Sequence, residues 1–219
     1  MNWQDDTEKF CSELGISLES SEAKIKETGK YGHKYFSEGY LPMLYFTIAF
    51  FALKNVENIL EIGTGYGEMA VFLSELIPSA TIYTIDAPPG DRDYEKWAWR
   101  REKKYMDMHI ENMKRANIIF IEKNSFFLPS MGLPKMFELI WIDGSHEFPV
   151  VAWDTMFAYN RLKEGGFIFM HDYVEGNEVS KTHSHAGDII IEETGLLPSQ
   201  KSNVEHKVAW IRRQQKKAT

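Results

Sequence analysis

Cysteine is almost missing from this chain: Cys11 is the only one among 219 residues. No intrachain disulfide can form, which excludes a disulfide-framed secreted scaffold. Long hydrophobic runs are missing too. The most apolar stretch, Leu44 to Leu53, spans ten residues, where a membrane-crossing helix needs about 20. The opening residues, MNWQDDTEKF, are acidic and carry no apolar signal segment. These absences point to a cytoplasmic protein with no membrane partner. A net positive balance is missing outside one place. The net charge is −7, and Arg212, Arg213, Lys216 and Lys217 form a basic tail. Setting that +4 aside leaves −11 on residues 1–211. So acidic a body argues against a nucleic-acid partner, because neutralising phosphates supplies most of such affinity. Internal repeats and low-complexity segments are absent as well, apart from the tail.

The composition that is present folds: 43% hydrophobic and 14% aromatic residues over a length that suits one domain. Residues 1–54 read as a helical cap without strand alternation. Tyr40 to Leu53 is apolar nearly all round, as a buried helix is. From Asn55 the texture changes. Short apolar runs at Asn58–Ile62, Thr81–Asp86, Ile118–Lys123, Phe137–Asp143 and Gly166–Met170 alternate with helical stretches near 68–77, 92–116 and 149–164. The last of these helices is punctuated by Pro149 near its start and Gly165-Gly166 past its end. A short helix near Asp188–Glu193 and a final strand over Val208–Arg212 complete the reading. Alternating strand and helix predicts an α/β fold whose mostly parallel sheet is covered on both faces.

The segment Leu60-Glu61-Ile62-Gly63-Thr64-Gly65-Tyr66-Gly67 stands where the first strand hands over to a helix. Its glycines permit positive φ and let a ligand approach the backbone. Asp86 ends the next strand, where nucleotide-binding folds receive ribose hydroxyls. A dinucleotide site wants G-x-G-x-x-G, with helix amides aimed at a pyrophosphate. Here the spacing is G-x-G-x-G with Glu61 upstream, which suits a cationic ligand and disfavours a nicotinamide dehydrogenase. S-adenosylmethionine carries an ammonium and a sulfonium and no phosphate.

With ILEIGTGYGE, YTID, WIDGSHEF and LKEGGFIFMHDY in this order, the chain resembles the class I S-adenosylmethionine-dependent methyltransferases. Within them it is most similar to the catechol and caffeoyl-CoA O-methyltransferase-like group, including the methyltransferase 24 type. The resemblance covers roughly residues 37–173. It implies one Rossmann-like domain with a doubly wound, mostly parallel seven-stranded sheet, residues 55–219 forming the cofactor-binding core behind the cap of residues 1–54. It also implies that Glu61, Gly63 and Gly65 line the methionine part, that Asp86 takes the ribose and that Ser125 approaches the adenine, with Tyr66 and Asp143 as further cofactor-binding residues.

Asp143-Gly144-Ser145-His146 and His171-Asp172-Tyr173 follow strands four and five, on the edge where ligands bind in such sheets. Methyl transfer needs an oriented acceptor in its nucleophilic form. Ionising a phenol-like hydroxyl at neutral pH costs about 4 kcal/mol, which a positioned base or a divalent metal can remove. The metal-dependent enzymes resembled here hold Mg²⁺ with an acid after strand four and an Asp-Asn pair after strand five. Asp143 and Asp172 match the acids, Tyr173 replaces the Asn, and His171 is a further candidate ligand. His146 stands where those enzymes place a catalytic lysine. An imidazole accepts a proton near neutral pH, so His146 is the candidate base, with Asp143 and Asp172 orienting the acceptor. His183-Ser184-His185 reads as a solvated loop pair, and His33, His109 and His206 have no ligating context.

The stretch from Arg92 to Ala116 has two apolar stripes at 100° per residue. Tyr94, Trp97, Tyr105 and Met108 fall on one side, and Trp99, Met106, Ile110 and Met113 on the other. One stripe is expected on the sheet. The second serves a substrate or subunit contact, a homodimer for instance, unless the helix breaks near Arg100 and each half buries one stripe.

The leading expectation is an S-adenosylmethionine-dependent O-methyltransferase acting on a small hydroxylated metabolite. The alternatives are transfer to nitrogen or to a macromolecule, and a cofactor-binding protein without turnover.

Overall fold

The computed structural model describes residues 3–29, 40–171 and 208–213. Its sheet follows the order β3-β2-β1-β4-β5-β6, with β1 Asn58–Ile62, β2 Thr81–Asp86, β3 Ile118–Glu122, β4 Phe137–Ile142, β5 Leu162–Met170 and β6 Ala209–Arg212. The first five are parallel and β6 runs antiparallel to β5. The α/β expectation therefore holds, with six strands among the described residues where seven were expected. The expected helix near Asp188–Glu193 lies outside the described residues.

Strands β1 and β4 sit where the strand order reverses, and a parallel sheet opens its ligand crevice at that point. Both are buried on both faces, which is why β4 reads FELIWI without alternation. Leu139 and Trp141 point into one core, and Ile140 and Ile142 into the other. The second core is closed by α7 (Val150–Arg161) through Phe157 and Ala158. The first is closed by α4 (Glu68–Leu76) and by the N-terminal helices α1 (Trp3–Leu14), α2 (Leu18–Glu27) and α3 (Tyr40–Ala52). Helix α3 is buried over nearly its whole circumference, as its sequence implies.

Aromatic packing fastens α1 to the sheet. Phe10 is fully buried and meets Phe167 and Phe169 edge-on at 5.9 and 6.5 Å, with Tyr45 at 5.2 Å and Trp210 at 4.5 Å. Edge-to-face rings at such separations add to the hydrophobic gain of burial.

Two elements differ from the sequence reading. Helix α7 ends at Arg161 and β5 begins at once, so Gly165 and Gly166 lie inside a strand. The β4–β5 register shifts between Phe137 and Leu139, and Gly165 has φ +82°. A Cβ on Gly166 would stand 2.6 Å from the Glu138 carbonyl oxygen. The glycine pair thus makes a strand irregularity, a role glycine shares with helix stops in sequence. The stretch 92–116 is also interrupted. It forms α5 (Arg92–Glu95), a 3-10 turn (Ala98–Arg101) and α6 (Lys103–Asn112). The interruptions, at Lys96-Trp97 and at Glu102, flank the turn that carries Arg100, which is buried. Tyr105 packs inward, while Met106 and Ile110 of the opposite stripe are about half exposed.

Replacing Phe10 by Ala should lower the unfolding free energy by about 3–5 kcal/mol, the usual cost of deleting a buried aromatic ring. A urea titration followed by circular dichroism measures this, and an unchanged midpoint would refute the packing role.

Candidate active site

The parallel ladder runs one residue beyond the strands and so sets the crevice. Gly63 N–H donates to Ile85 O (2.8 Å), Lys123 N–H to Asp86 O (2.8 Å), Asp143 N–H to Ile62 O (2.8 Å) and His171 N–H to Ile142 O (3.0 Å). At the turn after β1, Gly63 has φ +97°. A Cβ there would lie 2.1 Å from the Asp143 carbonyl oxygen. Glycine is required because the chain leaving β4 crosses at contact distance, a reason additional to ligand access. Gly65, in contrast, faces open space.

Helix α6 grips this turn from behind. Tyr105 Oη donates to Gly65 O at 2.9 Å, and His109 Nδ1 lies 3.0 Å from the same oxygen. A carbonyl can only accept, so His109 carries its proton on Nδ1. Asn112 Nδ2 donates to Tyr66 O at 2.8 Å. His109 had shown no role in the sequence. The available signal was spacing: Tyr105, His109 and Asn112 stand at i, i+4 and i+7, one polar-tipped face of a helix.

Glu61 is fully buried under the turn. Thr64 donates to Thr84 Oγ1 (2.6 Å), and Thr84 donates in turn to a Glu61 carboxyl oxygen. Burial drives the Glu61 carboxyl well above the ordinary carboxylate range, and the neighbouring charges of Asp143 and Asp86 add to the rise. The Thr84 hydroxyl opposes it. Asp86, also buried, is surrounded by donors. Its Oδ2 accepts from Gly65 N–H at 3.0 Å, its Oδ1 from Ala87 N–H at 2.9 Å, and Arg100 Nη1 stands 2.8 Å from Oδ2.

A cavity of about 190 Å³ opens at these strand ends, lined among others by Gly63, Asp86, Arg100, Ser125 and His146. Ser125 begins a 3-10 turn capped by Asn124, whose Oδ1 accepts from Phe126 N–H at 3.0 Å. Of the expected cofactor residues, Gly63, Asp86 and Ser125 form the cavity wall. Gly65 and Tyr66 belong to the turn beside it, Glu61 lies beneath it, and Asp143 lies behind His146.

Asp143 gathers both candidate histidines on one oxygen. His171 Nδ1 is 2.9 Å and His146 Nε2 is 3.4 Å from Asp143 Oδ1. All three side chains are partly buried, between 14% and 18% exposed. Asp172, Tyr173, His183, His185 and His206, like His33, lie outside the described residues. Among the described residues no group of three or more His, Cys, Asp or Glu side chains could hold a metal ion. One carboxylate already bonded to imidazoles is a poor match for Mg²⁺, which prefers several oxygens. The described donors do not fit that ion.

A family model described as a methyltransferase domain, of the methyltransferase 24 type, matches residues 60–173. No curated protein sequence matches the chain. Among solved structures, the cofactor-bound Rv0187 from MTB aligns at TM-score 0.58 and 16% identity, covering 90% of each chain. The Podospora anserina methyltransferase PaMTH1, bound to S-adenosylhomocysteine, aligns at TM-score 0.57 and 15% identity, covering 88% of each. The O-methyltransferase NovP aligns at TM-score 0.55 and 12% identity, covering 90% of this chain and 79% of that one. At such identities these likenesses speak for the fold. No described helix is long and apolar enough to cross a membrane.

The Glu61 environment sets a pH dependence. An acid whose carboxyl is raised on folding binds its proton more tightly in the folded chain. The stability tied to that proton is complete below the unfolded value, near 4.3, and is lost as pH rises through the folded one. Glu61→Gln, which keeps an acceptor for Thr84, should match wild type in melting temperature near about pH 4 and exceed it near about pH 8. Scanning calorimetry across that range measures the gap, and a gap that shrinks with rising pH would contradict a raised carboxyl.

Proposed function

We propose that this chain, which belongs to the methyltransferase 24 family of methyltransferase domains, methylates an oxygen of a small hydroxylated metabolite, with His146 as the base. Its cofactor is S-adenosylmethionine, in keeping with the S-adenosylhomocysteine bound by its structural neighbour PaMTH1. The residues present suit that molecule. The crevice offers a carboxylate at the end of β2, a glycine turn at the end of β1 and a second acid beneath the turn, a setting for hydroxyls and positive charge and not for a pyrophosphate. When bound, S-adenosylmethionine supplies an electrophilic methyl group on a sulfonium.

The observation that carries the reading is His146 on the wall of the same cavity as Gly63 and Asp86, with the Asp143 carboxylate 3.4 Å from its Nε2. With Nε2 turned to Asp143, Nδ1 is the atom that takes the acceptor's proton. Gly63, Asp86 and Ser125 would hold the cofactor, which would supply the methyl group to the oxygen that His146 has deprotonated. Asp143, 3.4 Å away, stabilises the imidazolium so formed by its opposite charge. His171 holds Asp143 in place at 2.9 Å. Asp172, which follows it, is assigned to orienting the acceptor. The O-methyltransferase neighbour NovP, aligned over 90% of this chain, favours oxygen as the methylated atom.

S-adenosylhomocysteine at about 100 times its Kd should add roughly 2.7 kcal/mol, raising the melting temperature by about 5–10 °C for a chain of this length. NAD should leave it unchanged, and the reverse outcome would sink the cofactor assignment.

His146→Ala should reduce kcat by about 10²–10⁴-fold while S-adenosylhomocysteine binding by calorimetry stays intact. Retention of more than about a tenth of kcat would end the case for His146 as base. Wild-type turnover should persist in EDTA, since no step above runs through a metal.

A further inference from the structure

The Asp86 carboxylate, to which the proposed function assigns the ribose hydroxyls, is already heavily engaged. An ionised carboxylate offers about four lone-pair positions. Gly65 N–H takes one position on Oδ2 and Ala87 N–H one on Oδ1, and the Arg100 guanidinium stands over Oδ2 at ion-pair distance, 2.8 Å. Two ribose hydroxyls need two. The backbone donors are fixed by the glycine turn and the strand end, so only the side chain of Arg100 can make room. A neutral hydroxyl is also a weaker partner for a carboxylate than a guanidinium is.

Arg100 belongs to a strap that crosses the cavity. Residues 92–101 run from the end of β2 towards the loop after β4, and Lys96, Trp97 and Arg100 line the cavity. Several contacts hold the strap down. Lys96 Nζ and Arg92 Nη2 stand 2.8 and 3.7 Å from Glu147 Oε2. Trp99 stacks on Tyr66 of the glycine turn at 4.8 Å and 19°. The Arg100 guanidinium lies 4.9 Å from the Tyr94 ring and 5.2 Å from the Trp99 ring. The Glu147 pairs are exposed to solvent and hold weakly. The Arg100–Asp86 pair is different: both side chains are over nine-tenths buried, where charges attract with little screening.

We propose that Arg100 is an affinity-setting latch of the cofactor site, whose guanidinium holds Asp86 and must leave it before ribose hydroxyls can occupy both carboxylate oxygens. The inference rests on the cofactor reading above. Binding then couples to release of the strap, and the apparent affinity falls by the fraction of molecules with the latch undone. A latch closed in nine molecules of ten weakens binding about tenfold.

The test uses the full chain, S-adenosylhomocysteine as probe, and Arg100→Met, which removes the charge and keeps an apolar stem against Tyr94 and Trp99. Calorimetry should show the variant binding about tenfold tighter than wild type. Stopped-flow tryptophan fluorescence should show the wild-type association rate reaching a plateau at high ligand, set by unlatching, and the variant's rate rising without one. Equal or weaker binding by Arg100→Met overturns the latch, because Arg100 is then inert or a direct cofactor contact. Should the variant fail to fold, wild-type kinetics decide: a plateau sustains the latch and a straight line refutes it. Failure of both proteins to bind S-adenosylhomocysteine removes the cofactor reading and the latch with it, whereas wild-type binding with a refuted latch leaves that reading standing.

Discussion

The crevice depends on the close crossing of two backbones, Gly63 after β1 and Asp143 after β4. The parallel ladder continues through Gly63 to Ile85 and through Asp143 to Ile62, so the two loops leave their strands in fixed register. They can do so at contact distance only because Gly63 lacks a Cβ, which would lie 2.1 Å from the Asp143 carbonyl oxygen. Asp143 in turn fixes where His146 and His171 meet. A side chain at position 63 would therefore disturb both the cofactor turn and the proposed base.

Three acids share this edge, and like charges packed together destabilise a fold unless each is compensated. The structure compensates each differently. Glu61 is driven toward its protonated form by burial and hydrogen-bonded by Thr84. Asp86 accepts from two backbone donors and pairs with Arg100. Asp143 stands between two imidazoles. A cationic cofactor would relieve the same repulsion, so the acids that strain the fold are the ones a sulfonium and an ammonium would favour. Such conflict between stability and binding is expected at functional sites.

Much of this was legible in the sequence because it rests on local pattern. Strands β1 and β2 fall on the residues that apolar runs and punctuation marked, and the glycine turn and Asp86 stand at strand ends as their spacing implied. The strand that the sequence starts at Gly166 begins four residues earlier, at Leu162, because glycine marks a helix end and a strand irregularity with the same letter. Only the approach of Glu138 on the neighbouring strand distinguishes them. The two stripes of residues 92–116 left a straight and a broken helix open, since angular periodicity does not register a break of two residues. Within the interrupted stretch Arg100 turns inward to a partner on another element, Asp86 at the end of β2. Arg100 itself was invisible as a site residue. Nothing in a run of charged residues tells which one turns inward.

The strap and α6 are one continuous piece of chain with opposite tasks. Glu102 joins them directly. On one side, Tyr105, His109 and Asn112 fasten α6 to the backbone of Gly65 and Tyr66. On the other, Arg100 closes on Asp86, which itself accepts from Gly65 N–H. Gly65 is thus held through its carbonyl by the helix and through its amide by the carboxylate that the latch contacts. Movement of Arg100 can leave the turn in place because α6 keeps its own grip on it. This division lets the cofactor site keep a rigid floor beneath a movable roof. A roof tied to the floor only through Asp86 would carry the glycine turn away whenever it opened.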